Sequence, residues 1–366
     1  MKKKTGVLIL SVLLAIFLLA GFVGIRFMKN KEGSTMANVQ KYDGNVVKPT
    51  TQQTKLEDDF SAVRYEGNYG FDSFLKQGGA SSDTAVIKFL TQNNLVSRAD
   101  KLSLKTEGFG CSTLSVKSPK GDALFGRNFD WQACNALVVS SKPSDGYASV
   151  STVNMDFISA GYGGSIDKLP EKVRTVVALY APLDGMNEKG LSAAVLMIQD
   201  SDNINQNTEK PDITTTTAIR LLLDKAANVD QAINLLKQHD MHASMGLMVH
   251  FALADTEGHS VVVEYVDNKM IVTKNPVITN FYLASGEKNG IGTAQSHSRY
   301  DILMKQLSKT TTMSMEEVRD AMDSVSKHNF KDAESTEWSV VYNQSSGEVR
   351  YYHRENYKKV YTFHVE

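Results

Sequence analysis

The chain has 366 residues, enough to bury a sizeable core in one large domain or two ordinary ones. Hydrophobic residues make up 42% and charged residues 22%, the balance of an ordinary globular protein. A net charge of -1 without a basic stripe argues against a nucleic-acid partner. Two cysteines cannot build a disulfide framework, no CxxC or Cys/His cluster offers a zinc site, and nothing else in the chain implies a metal or organic cofactor.

In chain order, Lys2, Lys3 and Lys4 precede an uncharged run from Gly6 to Ile25, which Arg26 closes. About 20 apolar residues span a bilayer as a helix. No small-x-small cleavage site and no lipoprotein cysteine follow, so residues 1–28 read as a signal-anchor in preference to a cleaved signal peptide. The expected location is therefore the cell membrane, single-pass, with the remainder extracytoplasmic, although the near-even Lys/Arg flanks do not themselves orient it. Residues 29–55 are polar and poor in aromatics, as expected of a flexible stalk. Residues 56–110 turn partly helical: SSDTAVIKFLTQNNL starts on a Ser/Asp cap and sets Val86, Phe89 and Leu90 at helical spacing.

Beyond Gly110 the texture becomes strand-rich. CSTLSV, ALFGRNF, TVVALYAP and LSAAVLMI are short β-like runs, and SPKGD supplies a hairpin turn between the first two. Helices are expected over TTTAIRLLLDKAANV and VDQAINLLKQH, then strands over GLMVHFALAD and SVVVEYVDNKMIVTK with a turn at VDN. Two more helices follow in SRYDILMKQLSK and SMEEVRDAMDSVSK, the second with a Ser314/Glu317 capping box. Strands around an NQSSG turn close the chain. Such grouping predicts an α+β layered domain in which helices cover mainly antiparallel sheets.

Cys111, between Gly110 and Ser112, admits three readings: a small buried hydrophobe, half of a disulfide with Cys134, or a nucleophile. QACNA around Cys134 is similar to a caspase signature but lacks its final Gly and the matching His, so Cys134 reads as structural. The stretch GFGCSTLSVKSPKGDALFGRNFDW sets Cys111 apart. A hairpin centred on SPKGD returns Arg127 and Asp130 past the start of the first strand, close to Cys111.

Here the sequence resembles the N-terminal-nucleophile (Ntn) amide hydrolases of the choloylglycine hydrolase and acid ceramidase group. Their mature chains begin Cys-Thr-Ser or similar and carry a Gly-Arg-Asn-apolar-Asp stretch at this spacing. Three further blocks match in order: DGMNEKGLSAAV with Asn187, VITNFYLA with Asn280, and SHSRYDILMKQL with Arg299. Cys-Ser-Thr in place of Cys-Thr-Ser keeps both hydroxyls, and Asn275 in TKNP competes with Asn280 for the second asparagine.

The resemblance implies a four-layer αββα Ntn-hydrolase sandwich over residues 111–366, preceded by a transmembrane helix and a pro-segment over 56–110. It further implies a membrane-anchored, extracytoplasmic cysteine amidase that hydrolyses the linear C–N bond of a small N-acyl amide through a Cys111 thioester. Cleavage at Gly110–Cys111 would free an α-amine, whose pKa near 8 suits a base, so no histidine is required. In that scheme Arg127 lowers the thiol pKa, Asp130 orients the amine, Asn187 and Asn280 donate to the oxyanion, and Arg299 completes the charged network. Taken residue by residue, simpler roles stand beside these: a cross-strand ion pair for Arg127 and Asp130, a turn for Asn187, a surface helix position for Arg299. An acyltransferase, a non-catalytic surface protein that keeps the fold, and a Cys111/Cys134 redox pair are the alternatives. The polar stretch SDNINQNTEKPD is a candidate pocket loop, and a homo-oligomer is consistent with the family.

Overall fold

A computed structural model describes residues 46–92, 110–161, 166–327 and 335–366. The apolar run 6–25 and the stalk up to residue 45 lie outside the described residues, among which no helix is long and apolar enough to cross a membrane.

The described chain opens with a hairpin, β1 (Thr54–Glu57) and β2 (Phe60–Glu66), and two short helices, α1 (Phe71–Lys76) and α2 (Asp83–Gln92). From Gly110 come β3 (Gly110–Lys117), β4 (Ala123–Trp131), β5 (Ala136–Lys142) and β6 (Ser149–Asn154). Helices α3 (Met155–Gly161) and α4 (Glu171–Leu179) lead to β7 (Asp184–Asn187), β8 (Ser192–Met197) and β9 (Asp212–Thr214). Next are α5 (Thr215–Lys225), α6 (Val229–Lys237) and β10 (Asp240–His242). They are followed by β11 (Val249–Ala254), β12 (Ser260–Val266), β13 (Lys269–Lys274) and β14 (Val277–Ile278). The last elements are α7 (Ala294–Leu307), α8 (Met315–Asp323), β15 (Ser335–Asn343), β16 (Glu348–His353) and β17 (Tyr361–His364).

Among the described residues a nine-stranded sheet runs β1-β2-β5-β6-β7-β8-β11-β12-β13, a six-stranded sheet runs β14-β3-β4-β15-β16-β17, and β9 and β10 pair separately. The two large sheets face each other. Trp338 and Tyr342 of β15 both hydrogen-bond Asp184 of β7, and Thr152 of β6 meets Tyr351 of β16 at 2.7 Å. Helix α5 packs on β7 and β8, while α7 and α8 pack on β3, β4 and β15, so each sheet carries helices on its outer face. The order is helix, sheet, sheet, helix. Every residue of β4, β6, β8 and β15 is buried, which explains why their sequences lack a clean polar alternation. The capping box of α8 forms as its sequence predicts, Ser314 Oγ accepting from Glu317 N and Glu317 returning the bond.

Two expectations need correction. TVVALYAP is not a strand but the end of α4, whose residues Thr175–Leu179 are buried. Pro170 sets the helix entrance, and Val173, Val176, Val177 and Tyr180 recur at helical spacing, so burial of one face outweighs the small β-branched penalty. The stalk, in turn, ends earlier than residue 55. Val47 is buried and its N–H donates to Thr362 O at 2.7 Å, and Arg64 N donates to Thr50 O at 2.7 Å.

Among the described residues, the chain before Cys111 is also no separate layer. Strand β2 pairs in parallel with β5, Phe60 opposite Ala136 through Glu66 opposite Lys142, and so extends the nine-stranded sheet. Phe60 stacks on His353 at 4.9 Å between ring centroids. Glu57 fastens the same edge, accepting from Tyr361 Oη at 2.6 Å and lying 3.0 Å from His353 Nδ1 and 2.8 Å from Lys359 Nζ. Burial alone would raise the Glu57 carboxyl, but the Lys359, Tyr361 and His353 hydrogen bonds outweigh it and hold it down to about 2. A depressed carboxyl stabilises the fold fully above its unfolded value of 4.5, and that contribution is lost as the pH falls towards 2. Thermal melts of Glu57→Gln should therefore show a shallower loss of melting temperature across this window than the wild type. An unchanged acid limb would show that the clamp contributes nothing.

Candidate active site

The site starts from the β3–β4 hairpin. Its register sets Gly110 opposite Asp130, Cys111 opposite Phe129 and Thr113 opposite Arg127. Because side chains alternate along a strand, Cys111 and Arg127 face the nine-stranded sheet, while Asp130 faces the helices. The hairpin thereby presents two half-sites joined at the Cys111 backbone.

On the inner face, Arg127 Nη2 lies 3.8 Å from Cys111 Sγ, and Nη1 donates to the Val195 carbonyl of β8 at 3.1 Å. The same carbonyl is 3.9 Å from Sγ. Arg127 Nε approaches Asp184 Oδ2 at 2.7 Å, and neither side chain is exposed at all. Asp184 also accepts from Trp338 Nε1 at 2.9 Å and Tyr342 Oη at 3.0 Å. On the helical face, Asp130 accepts from Arg299 Nη1 and, at 2.6 Å, from Thr336 Oγ1. Asn280 bridges the two halves. Its Oδ1 accepts from Cys111 N at 2.7 Å and from Arg299 Nη2 at 2.8 Å, and its Nδ2 donates to Met197 O at 2.7 Å. Ser296 Oγ, near the start of α7, accepts from Asn280 N at 2.6 Å.

Five of the six residues singled out in the sequence thus converge: Cys111, Arg127, Asp130, Asn280 and Arg299. Arg299 is buried in α7 rather than displayed on its surface. Asn187 does not join them. Its Nδ2 donates to Leu223 O and Ala226 O at the end of α5, and its Oδ1 accepts from Lys189 N and Leu191 N in the turn after β7. With both arms of the amide consumed by backbone, Asn187 ties a turn to a helix end, the simpler of its two readings. Its block supplies Asp184 to the group instead. Asn275 is likewise committed elsewhere, to Tyr300 Oη and Val277 N.

The electrostatics differ from the sequence expectation at one point. Burial pushes the Cys111 thiol up to about 11. The Arg127 and Arg299 guanidinium charges pull it down and the Asp130 carboxylate pushes it further up. Arg127 does not yield a thiolate in the intact chain, because the cost of charging a fully buried thiol outweighs the attraction of its guanidinium. Cys111 and Cys134 are both free thiols, not a disulfide. The Cys134 thiol is also raised, by burial first and then by Glu337, whose Oε2 accepts Cys134 N at 3.0 Å.

An apolar cleft lies under the outer helices of the nine-stranded sheet, with about 600 Å³ of empty space when its open mouth is included. Val86 and Leu90 of α2, Phe157 of α3, and Tyr180 and Leu183 flank it. It contains none of the converging residues. Its link to them is Leu183, whose carbonyl accepts Val195 N at 2.9 Å on the strand that also touches Sγ. The polar stretch after Gln199 is not part of the cleft wall; Asn205 and Gln206 bind Asn268, and Thr208 binds Asp240.

With this geometry in view, the comparisons are specific. Residues 116–358, well over half of the chain, match the model of the acyl-coenzyme A:6-aminopenicillanic acid acyl-transferase family. The chain belongs to this family. The match begins just after the hairpin's first residues, so it covers Arg127, Asp130, Asn280 and Arg299 but not Cys111. Among curated family relatives, a penicillin V acylase from Pectobacterium atrosepticum is 33% identical over 110 residues, which is 26% of this chain and 29% of that protein. The alignment thus spans under a third of the relative's length. A conjugated bile acid hydrolase from Clostridium perfringens, solved as two variants, superposes with a TM-score of 0.51 at 17% identity, over 69% of this chain and 92% of its own. That likeness shows that the two chains share a fold. A penicillin V acylase from Agrobacterium tumefaciens aligns with a TM-score of 0.42 at 17% identity, over 66% of this chain and 83% of its own.

Sequence reasoning missed Asp184, Thr336, Met197 and Ser296. Asp184 carried a usable signal: it opens the DGMN block, and a fully buried carboxylate requires a buried cation such as Arg127. Thr336, Met197 and Ser296 carry none, since each acts through position alone.

Proposed function

We propose that this protein is a self-processing, membrane-anchored cysteine amidase that hydrolyses the linear C–N bond of an N-acyl amide. The observation that carries the reading is the hold on the Cys111 nitrogen. That atom is an ordinary amide in the intact chain, yet Asn280 and, through it, Arg299 and Asp130 are gathered around it. An amide nitrogen needs no such charged setting; a base does.

In the intact chain the thiol is neutral and the nitrogen is not basic, so the centre rests. Addition of Cys111 Sγ to the Gly110 carbonyl, transfer of the thiol proton to the nitrogen and rupture of the C–N bond give a thioester. Water then releases Gly110 as a carboxylate and restores the thiol. The new α-amine, with an ordinary pKa near 8, can take the thiol proton in each later turnover. The thiolate attacks the substrate carbonyl, the amine leaves with a proton, and water resolves the thioester. Asn280 Oδ1 orients the amine. Its Nδ2 is tied to Met197 O, so it becomes an oxyanion donor only by exchanging that bond for the substrate oxygen.

The family description favours a second outcome, acyl transfer, in which an amine instead of water resolves the same thioester. Because β2 is an interior strand of the nine-stranded sheet, cleavage at Gly110 would leave the segment from Val46 paired with β5 and β17. The reading therefore keeps the enzyme on the membrane after processing, held by strand pairing.

Intact mass and N-terminal sequencing of the detergent-extracted chain test this. Two polypeptides should co-purify natively and separate in denaturant, the larger beginning Cys-Ser-Thr. Adding a primary amine to a reaction then distinguishes hydrolysis from transfer by the product formed. A single uncut chain would overturn the reading and favour a non-catalytic surface protein.

A further inference from the structure

Cutting the chain at Gly110 develops negative charge on the Gly110 carbonyl, which a cation held beside it would stabilise. Arg127 is committed to Asp184 and Val195 on the inner face, and Arg299 to Asp130 and Asn280. A third cation reaches the scissile residue. Lys327, just beyond α8, is only 6% exposed. Its Cε and Nζ both lie 2.9 Å from the position that a Cβ on Gly110 would take, and Asp130 Oδ2 lies 2.8 Å from the same position. The carboxylate and the ammonium therefore flank the Gly110 α-carbon, and only a residue without Cβ fits between them.

The lysine is held there by more than its side chain. Lys327 N donates to Thr336 Oγ1 at 2.8 Å, Thr336 N donates to Lys327 O at 3.2 Å, and Thr336 Oγ1 in turn donates to Asp130. One threonine thus fixes both the backbone of Lys327 and the carboxylate that faces it. A buried lysine is almost always paired, and the Asp130 carboxylate stands at the same Gly110 position as the ammonium.

We infer that Lys327 is a processing residue, whose ammonium stabilises the oxyanion formed on Gly110 when Cys111 Sγ attacks. The inference rests on the self-processing reading. The chemistry balances within the chain and one water: the S–C bond forms as the carbonyl oxygen takes up negative charge beside the ammonium. The charge then collapses as the C–N bond breaks and the proton reaches the Cys111 nitrogen. Water finally splits the thioester. A fixed cation in a dry site is far more effective at such a task than in water. Once Gly110 has left, the ammonium has lost its target, so its effect belongs to the cut and not to later turnover.

Pulse-labelled full-length chain, followed by gel for the fragment that starts at Cys111, tests this. Lys327→Met should slow the appearance of that fragment by roughly 10²-fold, the loss typical of a removed oxyanion donor. Lys327→Arg should recover most of the rate. In the portion that does become cut, alkylation of Cys111 by iodoacetamide should change far less than the rate of cutting, because Gly110, the residue the ammonium faces, has left. Lys327→Gln covers the case in which the Met variant fails to fold, and the melting temperature of each uncut variant is compared with that of uncut Cys111→Ala. Met and Gln variants that are cut at the wild-type rate would overturn the role of Lys327 alone. So would a delay that Arg does not relieve and that accompanies a lost melting transition. A wild-type chain that is never cut would overturn self-processing together with it.

Discussion

Replacing Cys111 by Ala is expected to leave the chain uncut and to lower amide hydrolysis by roughly 10⁴-fold or more, as removal of a nucleophile does elsewhere. The fold should survive. Cys111 is fully buried, but its side chain is small, and the backbone bond from its N–H to Asn280 does not depend on the thiol. Losing one small buried group costs about 1–2 kcal/mol, well within the stability of a domain of this size. Cys111→Ser separates the two steps. It keeps the geometry toward Arg127 and Val195 but offers a hydroxyl, which is a poorer nucleophile without a strong base nearby. Slow cutting with little turnover is the expected pattern, read by the mass of the larger fragment and by release of the amine product. Full hydrolysis by the Ala variant would remove Cys111 from the mechanism.

What could be read from the chain, and what could not, follows from how far apart the contacts lie. The hairpin that brings Arg127 and Asp130 back to Cys111 is local, fixed by the SPKGD turn and by period-2 alternation, and its register in the structure is the one the turn implies. The helical and strand runs from Thr215 to His364 carry clear periodicity, caps and turns, down to the VDN turn, where Asp267 and Asn268 adopt positive φ. TVVALYAP went astray because a helix packed against β2 and β5 buries the same residues that a strand would. The role of the chain before Cys111 was illegible for a different reason. Beyond its local hairpin with β1, strand β2 finds its place through β5, 76 residues further on (Phe60 opposite Ala136), and no local pattern announces a parallel partner. Asn187 illustrates the limit of block matching: the block sits where the fold needs it, yet the amide serves the end of α5 while its neighbour Asp184 serves the site.

Asp184 should prove the most costly position to alter for stability. It neutralises Arg127 at 2.7 Å in a place where neither side chain meets solvent, and it takes the Trp338 and Tyr342 donors from the opposing sheet. Asp184→Ala would strand a buried guanidinium and leave two buried donors unmet, a loss of about 3–5 kcal/mol for the ion pair alone. In melting temperature this is a fall on the order of 10 °C. Asp184→Asn keeps shape and acceptor oxygen but removes the charge, so it should sit between wild type and Ala. The same change bears on the chemistry. With Asp184 neutral, the Arg127 charge acts on Cys111 Sγ without a counter-ion, which lowers the thiol from its raised value of about 11. Alkylation of Cys111 by iodoacetamide, followed in freshly pulse-labelled chain before it is cut and with Lys327→Met present in both chains to slow the cut, should thus begin at lower pH with Asn at 184 than with Asp184. An Asn variant with wild-type stability and an unshifted alkylation profile would mean that Arg127 draws its compensation from elsewhere. The inter-sheet role of Asp184 would then reduce to its bonds with Trp338 and Tyr342.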